Sequence, residues 1–372
     1  VGNSRGGLRA IVASLCVALV GCNAVPEQGV SKRSEALTPG PSFTLQLPPQ
    51  ITAGGSGLTV STTLTLGDRV KVKQPTGSAF AGVVNLGAGQ TFLGRDSNFG
   101  DVWSVGSVHL GDRSVVSGFL KTAGTFDPGV NTTITGLLQQ NQPLTPPTLA
   151  TVTVQFQNGA SPFPVANDTT RSLSPGDYAA VSIASRGTLA LSTGDYRFDS
   201  LATQLPSTLR LTTTGGPIRV FIRNTLSWNS IVTATAGDPT KLLVGYVGSS
   251  AITINTPFTG TLLSPNAAVT LPTGSSPHNG AFFAKSLSAQ PDVVVTTRSF
   301  QSPCQGVVID DGNACTIDAC DPNTGVVSHV PAVNGSACSD GNACTTVDAC
   351  QAGVCVGASP VVCTALDQCH SA

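Results

Sequence analysis

Leu173-Ser174-Pro175-Gly176-Asp177-Tyr178 returns 18 residues later as Leu191-Ser192-Thr193-Gly194-Asp195-Tyr196. A second pair, Leu66-Gly67-Asp68-Arg69 and Leu110-Gly111-Asp112-Arg113, is offset by 44, or two turns of 22. Short apolar-alternating runs lie around these repeats, among them Leu58-Thr59-Val60, Val152-Thr153-Val154, Ile218-Arg219-Val220 and Val293-Val294-Val295. Strands this short, recurring this often, leave no room for helical crossovers. They suit a parallel β-solenoid, in which each turn stacks on the last and buries its apolar residues inside. A pair of β-sandwiches is the competing architecture, but it needs no repeats and carries more aromatic core than the 5% present. The predicted fold class is all-β: a parallel β-helix or β-solenoid over 43–300, followed by a small disulfide-rich irregular domain over 301–372. Gln139-Gln140-Asn141-Gln142-Pro143 predicts a break in the solenoid near 139–150.

Composition narrows the function. Charged residues make up 10% of the chain, against roughly 25% in an ordinary soluble domain. Net charge is -1, so no basic field exists to hold nucleic acid. The 41 glycines and 25 prolines favour strands and turns over helices.

Arg5 and Arg9 precede an apolar run over 10–20 that ends in Leu19-Val20-Gly21-Cys22. Such a run is too short to span a bilayer but suits a signal-peptide core. The closing L-V-G-C resembles the lipobox of bacterial lipoproteins, which implies cleavage before Cys22 and a diacylglyceryl group on its thiol. On that reading 1–21 is a signal peptide and 22–42 a flexible tether. The protein is then exported and lipid-anchored at a bacterial outer membrane or cell surface. Ordinary secretory cleavage after Ala24 is the alternative. Methionine is absent, and Val1 reads as a GTG start written literally.

The segment Gly260-Thr261-Leu262-Leu263-Ser264-Pro265-Asn266-Ala267-Ala268-Val269-Thr270-Leu271, followed by Gly280-Ala281-Phe282-Phe283-Ala284-Lys285-Ser286-Leu287, resembles the closing coils of bacterial surface β-helix modules such as those of myxobacterial envelopes. The resemblance implies a fold and a surface setting, and no activity.

No cysteine occurs over 23–303, and nine fall between Cys304 and Cys369. This density in an exported chain reads as a disulfide framework; C-x-x-C pairs, which zinc would favour, are missing. Asp311-Gly312-Asn313-Ala314-Cys315-Thr316 with Asp318-Ala319-Cys320 returns as Asp340-Gly341-Asn342-Ala343-Cys344-Thr345 with Asp348-Ala349-Cys350. A degenerate third copy runs from Cys363 to Cys369. These copies resemble the C-T-x-D-x-C repeats of Dictyostelium extracellular-matrix proteins, which also occur in myxobacterial surface proteins. Aligning the copies places Ile309 opposite Cys338 and Val327 opposite Cys355. A paired loss is expected of bonded cysteines, so a Cys338–Cys355 bond is predicted, with Ile309 against Val327 as its apolar replacement. The expected disulfide set is Cys315, Cys320, Cys338, Cys344, Cys350, Cys355 and Cys363. Cys304, then Cys369, is the candidate left unpaired.

No nucleophile elbow, phosphate loop or zinc-protease helix is present. Asp177 and Asp195 form the one catalytic alternative: if the 18-residue repeat stacks in register, their carboxylates lie about 5 Å apart, the retaining-glycosidase spacing, with Arg186 and Arg197 near enough to hold an acidic sugar. Turn chemistry in each Gly-Asp-Tyr is the simpler account. Asp310, Asp311 and Asn313 are weak calcium candidates, and otherwise no cofactor is expected. The four histidines (His109, His278, His329 and His370) lie far apart in sequence, and none has a readable partner. The expected function is that of a non-enzymatic surface lipoprotein with a structural or adhesive role. Its expected contacts are the membrane, through its anchor, and polysaccharide or other surface proteins. A β-helix polysaccharide lyase or glycoside hydrolase is the alternative.

Overall fold

The structure, a computed structural model, describes residues 37–46, 56–76, 79–146, 149, 151–275, 277–298, 300, 309–320, 327–342 and 344–360. The fold is all-β, with a β-solenoid of about 10 turns. Among the described residues the one helical element is the single turn Pro239–Lys241, and no helix is long and apolar enough to cross a membrane.

The turns do not stack in the order of the sequence. One half winds from Ser56–Leu66 through Gly82–Asn85, Val102–Ser104 and Leu120–Thr122 to Leu138–Gln139, each strand parallel to the last. The other half winds from Phe163–Val165 through Gly176–Ile183, Gly194–Thr203, Ile218–Ser227, Leu242–Tyr246 and Thr259–Leu271 to His278–Ala289. The last coil then pairs with the first: Leu58 lies opposite Phe282 and Val72 opposite Val295. The chain therefore starts in the middle of the stack, winds to one end, crosses to the other and winds back to a seam.

The crossing segment is the strand Thr151–Asn158, which pairs antiparallel with Thr38–Gln46. Leu45, Val154 and Phe156 pack on Phe221, Leu243, Leu263 and Phe283, forming a second core outside the solenoid. Strands under this strap are buried on both faces and read as unbroken apolar runs: all five residues of Leu242–Tyr246 are buried. Elsewhere the pattern alternates, as in Ser207–Thr212. Residues 38–42, expected in the flexible tether, belong to this strap strand; main-chain pairing with Thr151–Asn158 holds them.

His278 opens the seam strand and is fully buried. Its Nδ1 accepts from Phe258 N at 3.1 Å, which leaves Nε2 to donate to Ser275 Oγ at 3.1 Å. Burial pushes its pKa down from 6.5 to about 4, and a second ring proton would face the Phe258 N–H. Between pH 6.5 and 4 the unfolded chain takes up a proton that the folded chain refuses. Stability is therefore full above pH 6.5 and falls as pH drops toward 4, by about 3 kcal/mol in all. Urea midpoints measured across this window should fall for the wild type and fall less for His278→Gln. Parallel profiles for the two proteins would show that His278 is not responsible.

Candidate functional site

The Leu-Gly-Asp-Arg repeats form a corner of the solenoid, and a third copy stacks between them. Leu66, Leu93 and Leu110 align across three coils, and the intervening copy reads Leu93-Gly94-Arg95-Asp96, with its charges exchanged. The two turns span 27 and 17 residues, in place of two equal turns of 22. Exchange puts opposite charges above one another. Arg95 binds Asp68 at 2.9 Å, and Arg113 binds Asp96 at 2.6 Å. Arg69 binds Asp292 through Nε and Nη2 at 2.6 and 2.8 Å, which carries the ladder across the seam. Asp292, Arg69, Asp96, Arg113 and Asn131 all have φ between 55° and 66°, because the corner turns through the left-handed region. Arg186, a candidate ligand for acidic sugar, repeats the device with Asp168 at 2.6 Å. The bound guanidinium lowers the pKa of Asp68, Asp96, Asp168 and Asp292. Exposed pairs of this kind contribute little singly; two-point geometry and repetition favour register over raw stability.

The Asp177 and Asp195 expectation fails at its premise of register. The coil between them is 20 residues long, so Gly176-Asp177-Tyr178 pairs with Tyr196-Arg197-Phe198. The apolar alternation sets this frame: Tyr178, Phe198 and Ile222 align on the core side. Neither Asp sits in a turn; each lies in a strand opposite an arginine. Arg197 bridges the two carboxylates, 3.5 Å from Asp177 and 3.9 Å from Asp195. Arg219 binds Asp195 at 2.6 and 2.9 Å, and Arg223 binds Asp199 at 2.6 Å. Tyr196, fully buried, donates to Ser192 O at 2.9 Å and so plugs its own turn. A groove of about 470 Å³ opens beside this network, lined by Gln155, Gln157, Asp195, Arg197, Arg219 and Phe221.

In the cysteine-rich region each copy is an Asp-Gly-Asn turn followed by an antiparallel strand pair: Thr316–Cys320 with Val327–Pro331, then Thr345–Gln351 with Val354–Pro360. Cys338 and Cys355 are bonded, with Cα atoms 5.9 Å apart. Ile309 and Val327, the aligned apolar residues, are each half-buried. Cys315 reaches across to Cys350 of the next copy, and Cys320 is also disulfide-bonded. Cys344, expected in the bonded set, is an exposed free thiol among the described residues. Cys22, Cys304, Cys363, Cys369 and His370 lie outside the described residues.

The calcium candidates spend oxygens on the turn itself. Asp310 Oδ1 accepts from Gly312 N, Asp311 Oδ1 from Asn313 N, and Asn313 Oδ1 from Cys315 N, at 2.7 to 3.0 Å. Two histidines have partners that sequence distance concealed. His109 stacks on Phe92 and lies 2.7 Å from Asp127 one coil away. His329 faces Asp318 across its strand pair at 2.8 Å, and this hydrogen bond, with the Asp311 charge, raises its pKa above the usual range.

A family profile described as a Dictyostelium (slime mold) repeat matches residues 308–331, the first of these copies. No curated protein and no solved structure matches the chain. The disulfides and the repeat suggest an extracellular or secreted protein.

Proposed function

We propose that this chain is a non-enzymatic surface lipoprotein in which the solenoid and the disulfide-linked repeats play a structural or adhesive part, with Cys22 carrying the lipid anchor. The observation that carries the reading is the Cys315–Cys350 bond, which joins one extracellular-type repeat to the next and so makes a covalent array. The neutralised arginines and aspartates beside the groove at Asp195, Arg197 and Arg219 fit a scaffold better than a catalyst. Polysaccharide is the favoured contact. A cleft of about 600 Å³ sets the Phe43 ring beside Arg223, Asn224 and Asn266, an aromatic face with amide and guanidinium donors of the kind sugars use. A single acyl chain gives only marginal membrane binding, and further acylation makes the anchor firm.

Cys22→Ser should move the protein from the membrane fraction to the soluble fraction. Unchanged fractionation would remove the anchor from this reading. A glycan array probed with the soluble protein tests the adhesive part, and an absence of any carbohydrate binding argues for a purely structural role. The groove at Asp195, Arg197 and Arg219 favours one second reading, a polysaccharide lyase or glycoside hydrolase. Release of reducing sugar or unsaturated product by the wild type, lost in Asp195→Asn, would establish it.

A further inference from the structure

Three side chains of the first cysteine-rich copy converge on one point. His329 Nδ1 lies 2.8 Å from Asp318 Oδ1 and 3.4 Å from Asp311 Oδ2, and the three ligand atoms lie within 4.8 Å of one another. Oxygen and nitrogen ligands at about 2.0–2.2 Å from one tetrahedral zinc ion stand about 3.3–3.6 Å apart. The 3.4 Å spacing to Asp311 matches this, and the 2.8 Å contact with Asp318 opens slightly as its hydrogen bond gives way to the ion. We propose that Asp311, Asp318 and His329 form a binding site for a divalent transition-metal ion of the zinc type, with water completing the coordination.

The ligands are held in place by other bonds. Asp311 Oδ1 accepts from Asn313 N and Thr316 Oγ1, both at 2.9 Å, which frees Oδ2. Asp318 Oδ2 accepts from Asp311 N at 3.1 Å, which frees Oδ1. His329 is the direct cross-strand partner of Asp318, and the disulfide-bonded Cys315 and Cys320 flank that strand. A fixed second layer of this kind is what orients metal ligands.

Charge and the second copy give independent support. Seven aspartates and no lysine or arginine stand between Asp310 and the end of the chain, so this region holds almost no cation of its own. The second copy repeats the pocket without the imidazole. Asp340 N donates to Asp348 Oδ2 at 3.0 Å, as in the first copy, but the residue opposite Asp348 is Gly357. Asp348 Oδ1, the counterpart of the oxygen that meets His329, is buried with no hydrogen-bond partner among the described residues. A buried carboxylate oxygen without a donor is costly, so this pair of carboxylates calls for a positive partner. In the first copy the imidazole nitrogen makes the pocket a metal-ligand set.

The ion bonds to the Nδ1 lone pair, and the proton on that nitrogen leaves to solvent. Affinity therefore falls as pH drops, because the proton and the ion compete for the same nitrogen. The test uses the full oxidised chain with its free thiols alkylated, so that Cys344 does not compete, and titrates zinc ion alone by calorimetry at pH 7.5. One saturable site is expected, weakened at least about 10-fold in His329→Gly, which copies Gly357, and in His329→Gln. Proton release, measured in two buffers of different ionisation enthalpy, should fall with it. Peptide mapping that recovers the Cys315–Cys350 bond confirms that both variants are folded. Absence of a saturable site in the wild type, or equal affinity in His329→Gln, would overturn the proposal.

Discussion

Phe282→Ala is expected to destabilise the chain by about 3–5 kcal/mol and to uncouple the two halves of the solenoid. Phe282 is 1% exposed. Its ring centroid lies 5.4 Å from that of Phe258 and 5.5 Å from that of His278. On one side its strand partner is Leu262 of the same half; on the other it is Leu58, which opens the opposite half. The seam is thus a contact between residues 224 apart in sequence, made without a local connection, and a cavity there weakens what joins the halves. The protein has two tryptophans, Trp103 in one half and Trp228 in the other, both buried. Single-tryptophan versions therefore report each half during guanidinium unfolding. Coincident transitions are expected in the wild type and separated ones in Phe282→Ala. Leu110→Ala, a cavity within one half, should cost about 2–5 kcal/mol without separating them. A loss below about 1 kcal/mol for Phe282→Ala, or coincident transitions in both variants, would mean that the seam is not where the halves are coupled.

The solenoid was legible because its period is written in residues of fixed geometry: the Leu-Gly-Asp-Arg corner must turn in the left-handed region, and its leucine must face inward. What the repeats concealed was register. The Gly-Asp-Tyr copies are 18 apart while the coil is 20 long, so likeness in sequence marks likeness of turn without marking stacking. Arg197 opposite Asp177 becomes readable once apolar alternation, which fixes inside from outside, outranks the repeat. Leu93-Gly94-Arg95-Asp96 was a usable signal, since exchanged charges between two matching copies are what an ion-pair ladder requires. The seam left no mark of this kind. Nothing local in Leu58 or Phe282 shows that the first coil meets the last, because parallel pairing between distant strands depends on the path of the whole chain. The strap was visible only indirectly, in Val220-Phe221-Ile222 and Phe282-Phe283, where both faces of a strand are apolar and something must cover the outer one. In the tail, Asp318 and His329 escaped notice because their meeting depends on strand pairing across residues 321–326.

Removing the Cys315–Cys350 bond with a double Cys→Ala substitution is expected to destabilise the cysteine-rich region by about 4 kcal/mol, from the entropy of a bond closing 35 residues. The Cys338–Cys355 bond closes 17 residues, and its loss should cost about 3 kcal/mol on the same basis. The larger difference between them is in what each bond joins. Cys338–Cys355 lies within one copy, whereas Cys315–Cys350 ties the Asp-Gly-Asn turn of one copy to the strand of the next. Little else buries these copies: Ile317, Val330, Val347 and Val354 are all more than half exposed, while Cys315 and Cys350 are at most 2% exposed. Sulfur thus occupies the interior that apolar side chains fill in a larger domain, and small units of this kind depend on such cross-links. Amide hydrogen exchange across 309–360 in the full chain separates the two cases. Loss of Cys338–Cys355 should raise exchange chiefly in the second copy, and loss of Cys315–Cys350 should raise it in both. Unchanged protection of the first copy in the Cys315/Cys350 double variant would mean that each repeat folds alone, and a covalent array would then have no mechanical consequence for a structural protein.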